Sequence, residues 1–370
     1  MRSLRIAVTV DPYIPVPPRL YGGIERVVDF LVRGLAGRGH RVTLLAHPES
    51  HGPGELVPYG VPPHVGARAR LRELWQVATL LWRRHDEWDV IHSFGRLAAL
   101  LPVLPLRRLC KVQSYQRDVP WTGVRRATRL AGPSIRFTAC SASVFRERRA
   151  QGRHGGRWQA VFNGVDLAKY GFVPAVPPDA PLVFLGRLER IKGAHGAIAI
   201  ARASGRRLVI AGNRVDDPAS RAYFEREIAP HLDDDRVRYV GPVDDDAKSQ
   251  LLGGAAALLM PIEWEEPFGI VMAEAMACGT PVVGFARGSV PEVVRDGVNG
   301  FLCRSPEAAV QAVGRLGEVA RATVRRDCEA RFGAGVIVGA YERLYGEMLD
   351  EATGRSPVTA GRTVAPWARK

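Results

Sequence analysis

Positions 256–284 read Ala256-Ala-Leu-Leu-Met-Pro261, Ile-Glu-Trp264-Glu-Glu266-Pro-Phe-Gly269, Ile270-Val-Met-Ala-Glu274-Ala-Met-Ala-Cys-Gly279 and Thr-Pro281-Val-Val-Gly284. A short apolar run at 256–261 has the pattern of a buried strand. Pro267 stands where a helix can begin, good helix formers follow, and Gly279 closes them. A second apolar run at 281–284 completes a strand–helix–strand unit, so the surrounding sheet is expected to be parallel. The helix would then open at the carboxyl edge of that sheet, where ligands of open α/β sheets bind. Its unpaired first amides and positive dipole end suit an anion such as a diphosphate. Glu266 at the mouth and Glu274 about two turns on are expected on one helical face. Each carboxylate can accept hydrogen bonds from a vicinal diol, which suits a sugar and a ribose flanking a diphosphate.

The same alternation extends in both directions. In the second half, strands are expected at 182–185, 207–211 and 236–240, besides 256–261 and 281–284. In the first half they are expected at 6–10, 41–46, 89–92, 111–114, 135–140 and 159–162, with helical patterns such as 24–35 between them. This predicts an α/β chain with two facing Rossmann-like domains and a cleft between them. A length of 370 residues also suggests about two domains. The proline-rich run Val173-Pro-Ala-Val-Pro-Pro-Asp-Ala-Pro181 reads as a linker, giving a first domain over 1–170, a linker over 171–181 and a second domain over 182–350. The tail at 351–370, rich in Thr, Pro, Gly and Arg, is expected to be disordered.

The composition, 46% hydrophobic and 24% charged, is that of a soluble globular protein. The five cysteines are scattered without ligand or disulfide spacing, which suits a reduced cytoplasmic setting. The apolar run at 6–10 stops at Asp11 and reads as a strand rather than a signal peptide. The stretch at 97–106 contains Pro102 and Pro105 and is about half a membrane span. No transmembrane helix is expected. The net charge is +14, and positions 107–157 carry thirteen Lys or Arg against two acidic residues. That excess suits an anionic or lipid-linked acceptor and peripheral contact with acidic membrane at the inner face. It equally suits an arginine-rich composition, because only five residues are lysine. The apolar stripe over 71–84, with arginines at its end, could lie on a membrane but is read as a helix packed on its sheet.

Two further segments bear on chemistry. Leu185-Gly186-Arg187-Leu188-Glu189-Arg190-Ile191-Lys192-Gly193 follows the expected strand at 182–185 and precedes a helix. Arg187 and Lys192 there can neutralise phosphate oxygens. Tyr21-Gly22-Gly23 closes the loop after the first strand, where glycines let a ligand approach the backbone. No Walker pattern occurs, which disfavours a nucleotide hydrolase. Asp233–Asp235 and Asp244–Asp246 formally match a metal-nucleotide D-x-D pattern, but both read as turns, Asp244 as a helix cap. No essential metal and no cofactor are expected.

Together these segments resemble retaining GT-B glycosyltransferases, specifically glycosyltransferase family 4. Glu266 and Glu274 match the family's E-x7-E motif, and Gly186, Arg187, Leu188, Lys192 and Gly193 match its G-R-L…K-G motif. Tyr21-Gly22-Gly23, Phe162-Asn163-Gly164-Val165-Asp166 and the segment from Pro291 to Phe301 fit as well. The resemblance implies a nucleotide-sugar donor whose diphosphate is bound by Arg187 and Lys192. It implies that Glu274 holds the ribose and Glu266 the transferred sugar. It also implies backbone contacts from Phe268, Gly269 and Ile270, with Gly23 and its neighbour Gly22 reaching phosphate across the cleft. The leaving phosphate would deprotonate the acceptor on the same face, so no protein nucleophile is named. Where such enzymes commonly carry a histidine, this chain has Gln116 or Tyr115. Glutamine can hydrogen-bond a sugar but cannot transfer a proton near neutrality. His92 ends another strand and is a candidate sugar or acceptor contact with Tyr115 and Gln116, or else a structural residue. Other readings are a sugar-nucleotide epimerase or phosphorylase on the same architecture, or a basic nucleic-acid-binding module. The last lacks the aromatics expected of a single-strand groove.

Overall fold

The computed structural model describes residues 2–19, 22–60, 66–117, 119–233 and 235–354. Tyr21, Asp234 and residues 355–370 of the expected tail lie outside the described residues. The chain divides into two compact units, one formed by Met1–Phe162 with Ala334–Lys370 and one by Asn163–Gly333.

The first unit is built on a parallel sheet of β1 (Arg5–Thr9), β2 (Arg41–Ala46), β3 (Glu55–Pro58), β4 (Val90–Ser93), β5 (Cys110–Tyr115), β6 (Ile135–Ala139) and β7 (Trp158–Ala160). Their spatial order is β3-β2-β1-β4-β5-β6-β7. Apart from exposed Arg5 at the start of β1, the central strands β1, β4, β5 and β6 are buried along their length, as strands covered on both faces must be. The second unit holds β8 (Leu182–Leu185), β9 (Leu208–Ala211), β10 (Val237–Tyr239), β11 (Ala257–Met260), β12 (Val282–Phe285) and β13 (Gly300–Cys303), ordered β10-β9-β8-β11-β12-β13. In each sheet the chain starts centrally, runs to one side and then reverses. This doubly wound order places a ligand crevice at the carboxyl ends beside β1/β4 and β8/β11.

Every expected strand forms within two residues of its expected limits. The strands β3 and β13 were not expected. Both are edge strands, and β3 lies between Gly54 and Pro58 while β13 opens on Gly300, residues that read as loop.

The domain limits differ from expectation. Residues 163–181 belong with the second sheet: Val165 N–H donates to Phe332 O at 2.8 Å, and Val173 N–H to Cys278 O at 3.1 Å. Arg321 Nε donates to Val173 O at 2.7 Å, so the proline-rich run is strapped to the second unit rather than hung between units. The helix Ala334–Ala352 joins the first unit instead of closing the second. Its buried Tyr341 and Tyr345 pack on His92, and its Glu342 pairs with Arg38 at 2.6 Å. Glu351, expected in the tail, sits in this helix and pairs with Arg136 and Arg157.

The helix Ala67–Arg83 forms and packs as expected, but with only part of its apolar stripe. Its Glu73, Val77 and Leu81 face inward, while Leu71, Trp75 and Trp82 are exposed.

Candidate active site

In the second unit, the loops after β8 and β11 meet at the carboxyl edge beside the switch point. Lys192, on a short 3₁₀ turn at Arg190–Lys192, donates to Glu266 Oε2 at 2.5 Å. Trp264 Nε1 donates to the same oxygen at 2.9 Å, and the ammonium lies 4.6 Å from the indole centroid. Arg187 Nη2 stands 3.0 Å from Glu189 Oε2, and its side chain is partly exposed. Two cations therefore stand at the sheet edge, each on its own carboxylate, with an aromatic plate behind Lys192.

The helix in this segment starts later than expected. It spans Ile270–Ala277 with Gly269 as its N-cap in the left-handed region, so Pro267 lies in the preceding loop. Glu266 and Glu274 consequently do not share a helical face. Glu266 is on the loop, and Glu274 is a buried helical residue. The loop keeps its shape through Gly288 (φ +53°), whose added Cβ would sit 2.4 Å from both the N and O of Glu266. Ser289 N–H also donates to Glu266 O at 2.9 Å.

Glu274 is held by residues that the sequence did not single out. Tyr170 Oη and Lys248 Nζ both donate to its Oε1, each at 2.6 Å. At both glutamates the hydrogen bonds fall on one oxygen, and the other has no protein partner among the described residues. A carboxylate fixed on one side and free on the other is suited to accept from a ligand hydroxyl. The amides of Phe268, Gly269 and Ile270 belong to the loop and first turn beside Glu266, and Gly186 and Gly193 bracket the Arg187–Lys192 loop.

In the first unit the carboxyl edge is a cavity of about 420 Å³. Ile24, Phe94, Leu97 and Leu101 give it apolar walls, and Arg96, Arg117 and Arg126 also line it. Tyr115 and Gln116 line it too, and neither the Tyr115 hydroxyl nor Gln116 Nε2 has a hydrogen-bond partner among the described residues. Asp11, which the sequence reading used only as the end of a strand, is a further lining residue. Burial raises its pKa above the usual carboxylate value, against the pull of Arg96 and Arg117. Burial likewise raises that of Glu25, in the first turn of the helix Gly23–Gly37. Gly22 (φ +153°) is a packing position, since a Cβ there would lie 2.6 Å from Pro18 Cβ. Gly23 borders open space, with nothing within 4 Å of an added Cβ.

His92 is not among the cavity's groups. It is fully buried, with Nδ1 2.6 Å from the Tyr345 hydroxyl and Nε2 2.6 Å from Ser114 Oγ. Burial lowers its pKa to about 3, so the ring is neutral. It is a core histidine that helps to seat the last helix. Asp244 accepts from Ala247 N–H at 2.8 Å as the cap of the helix Asp245–Gly253, which holds Asp245 and Asp246, and Asp233 Oδ1 accepts three backbone amides. Among the described residues no group of three or more His, Cys, Asp or Glu is placed to hold a metal, and no helix is long and apolar enough to cross a membrane.

Family models agree with both sheets. Residues 21–169 match the model of Glycosyltransferase Family 4, and residues 174–320 that of Glycosyl transferases group 1. The glycogen synthase of Mycobacterium tuberculosis (strain H37Rv) is 28% identical over 345 residues, spanning 79% of this chain and 81% of that protein. Sucrose-phosphate synthase from Thermosynechococcus elongatus superposes with a TM-score of 0.77 at 20% identity, covering 95% of this chain and all of that one. Anabaena HepE in complex with UDP-glucose gives a TM-score of 0.68 at 20% identity, covering 93% of this chain and all of that one. Two Rossmann-like units with these matches define a GT-B glycosyltransferase. The chain belongs to glycosyltransferase family 4.

Proposed function

We propose that the protein transfers a hexose from a nucleoside-diphosphate sugar to an acceptor with retention of anomeric configuration and without an essential metal. The donor binds at the edge of the second sheet and the acceptor in the cavity of the first unit. The observation that carries this reading is the cluster of Arg187, Lys192, Glu266 and Trp264 beside β8 and β11. Arg187 and Lys192 meet the diphosphate and stabilise the charge that grows on its leaving oxygen, usually a large catalytic term. Glu266 accepts from a hydroxyl of the transferred sugar, and the free oxygen of Glu274 accepts from the ribose. The bond from C1 to the diphosphate oxygen breaks while the acceptor hydroxyl adds on the same face. Its proton passes to the departing phosphate. With the cations supplied by side chains, Asp244 capping a helix and Asp233 accepting backbone amides, the diphosphate is neutralised without a bound ion.

The cavity supports an acceptor with an apolar body and an anionic group, because apolar walls and three arginines line the same space. A lipid-linked phosphate has that chemistry. Asp11 and Gln116 would hold its reacting end, Asp11 as a hydrogen-bond acceptor and Gln116 as a donor.

Thermal unfolding with UDP, GDP, ADP, CMP and dTDP tests the donor half. UDP-glucose is the first sugar donor to try, since HepE was solved with it. A nucleotide at about 100 times its Kd adds about 2.7 kcal/mol of stability. One nucleotide should stand out, and its effect should vanish in Arg187→Ala and Glu274→Ala. Stabilisation by none of the five would refute the donor site. Anomeric NMR of the product tests retention, and undiminished transfer in EDTA tests metal independence. Sugar-nucleotide turnover without acceptor would instead mark an epimerase, and dependence on inorganic phosphate a phosphorylase.

A further inference from the structure

The helix Ala67–Arg83 carries a face that its own sheet does not use. Its inner side is complete: Val77 and Leu81 lie in the core of the first unit with Leu74 and Leu80 against them. Glu73, also buried, accepts from the Tyr13 hydroxyl at 3.1 Å. On the outer side Leu71 is 65% exposed, Trp75 67% and Trp82 48%. At 100° per residue these three fall with Arg68, Arg72 and Arg83 inside an arc of about 120°. The three arginines are exposed, and that arc contains no acidic residue.

Two exposed tryptophans and a leucine on one helical face are unusual on a surface that meets only water, where large contiguous apolar patches mark a binding site. The arginines decide what binds. A second copy docked face to face through a two-fold axis would bring the same arginines against one another. An anionic bilayer offers phosphate oxygens at the depth of the arginines and hydrocarbon at the depth of the indoles. Tryptophan prefers that boundary, and a helix of this kind lies in its plane. The net charge of +14 draws the whole chain toward the same surface.

We infer that the helix Ala67–Arg83 is a membrane-docking element, which seats the first unit on an anionic lipid surface through Leu71, Trp75 and Trp82 with Arg68, Arg72 and Arg83 paired to lipid phosphates. The inference stands on this helix alone and does not depend on which sugar is transferred.

Flotation of the full chain with vesicles of phosphatidylglycerol and phosphatidylcholine, against phosphatidylcholine alone, reads it directly. The protein should float with the anionic vesicles only, less at high salt, and its tryptophan emission should shift to the blue. Trp75→Ser with Trp82→Ser, and separately Arg68→Glu with Arg72→Glu, should each weaken binding by about tenfold or more while melting like the parent. Three results would overturn the inference. The first is absence of binding to anionic vesicles at low salt. The second is full binding by the tryptophan double variant, which would move the contact to the basic stretch at 107–157. The third is a dimer in light scattering that both double variants abolish while vesicle binding stays intact, which would make the face a contact between copies.

Discussion

The two sheets wind the same way around their switch points, yet their carboxyl edges are furnished differently. At the second, each functional side chain is already in a charged partnership: Lys192 with Glu266, Arg187 with Glu189, Lys248 with Glu274. At the first, an open cavity is lined by groups without partners among the described residues, the Tyr115 hydroxyl and Gln116 Nε2, and by a carboxyl, Asp11, that burial makes reluctant to ionise. A ligand with a constant chemistry, such as a nucleoside diphosphate, can be met by a fixed array of charges. An acceptor whose chemistry differs from enzyme to enzyme calls for an adaptable space with a few unsatisfied polar groups.

The largest effect should come from breaking the charged array. On the proposed donor site, Lys192→Ala removes one of two cations that would meet the diphosphate and should lower kcat by about a hundred- to a thousandfold, the usual cost of one transition-state donor. Steady-state kinetics beside a melting curve will check it. A loss below about threefold with the fold intact would mean that Lys192 only balances Glu266.

The same contrast explains what the sequence disclosed. The second site is local: Gly186 to Gly193 and Trp264 to Gly279 are two contiguous segments, each set by one strand end, so their spacing could be read directly. The start of the helix was misread because Pro267 has a helix-opening residue type, whereas Gly269 in the left-handed region makes the actual cap. The first site draws on Asp11, Ile24, residues 94–101, residues 114–117 and Arg126, which only the fold brings together. Asp11 was invisible for that reason. Lys248 did carry a signal. In a chain with five lysines among 52 basic residues, Lys111, Lys192 and Lys248 are all wholly or largely withdrawn from water and each has named partners. In these three places a compact ammonium sits among fixed acceptors, although arginines such as Arg136 are buried as well.

Lys248→Met sharpens that point. It leaves Glu274 buried with only the Tyr170 hydroxyl, and losing one member of a buried ion pair costs about 3 kcal/mol or more. A lowered denaturation midpoint is expected, together with weaker nucleotide stabilisation. Tyr170→Phe should cost less, about 1 kcal/mol, as one hydrogen bond.

His92 gives the first unit a pH dependence with a definite sign. Its pKa of about 3 in the folded chain lies below the ordinary value near 6.5, so the unfolded chain binds the proton more readily. Stability conferred by the neutral ring is complete above about pH 6.5 and falls by about 1.4 kcal/mol per pH unit as the pH drops toward 3. His92→Gln keeps a donor and an acceptor between Tyr345 and Ser114 without a titrating group. Chemical denaturation at pH 4, 5 and 6 should show that this part of the slope has gone. An unchanged slope would place the acid sensitivity elsewhere.

The smallest effect tests the adaptable edge. Gln116→Leu deletes the unpaired amide without adding charge, and the cavity has room for the new side chain. If Gln116 donates to the acceptor, KM for the acceptor should rise about fivefold to tenfold, the worth of one neutral hydrogen bond. Slow donor hydrolysis without acceptor should be unchanged, because nothing at the edge of the second sheet has been altered. Equal losses in both reactions would mean that Gln116 faces the donor sugar, and the division of labour between the two edges would then have to be redrawn. Gln116→His discriminates further: restoring a titrating ring should leave the pH profile of transfer unchanged if the leaving phosphate takes the acceptor proton, and should add a new limb near pH 6.5 if the side chain at this position can take it instead.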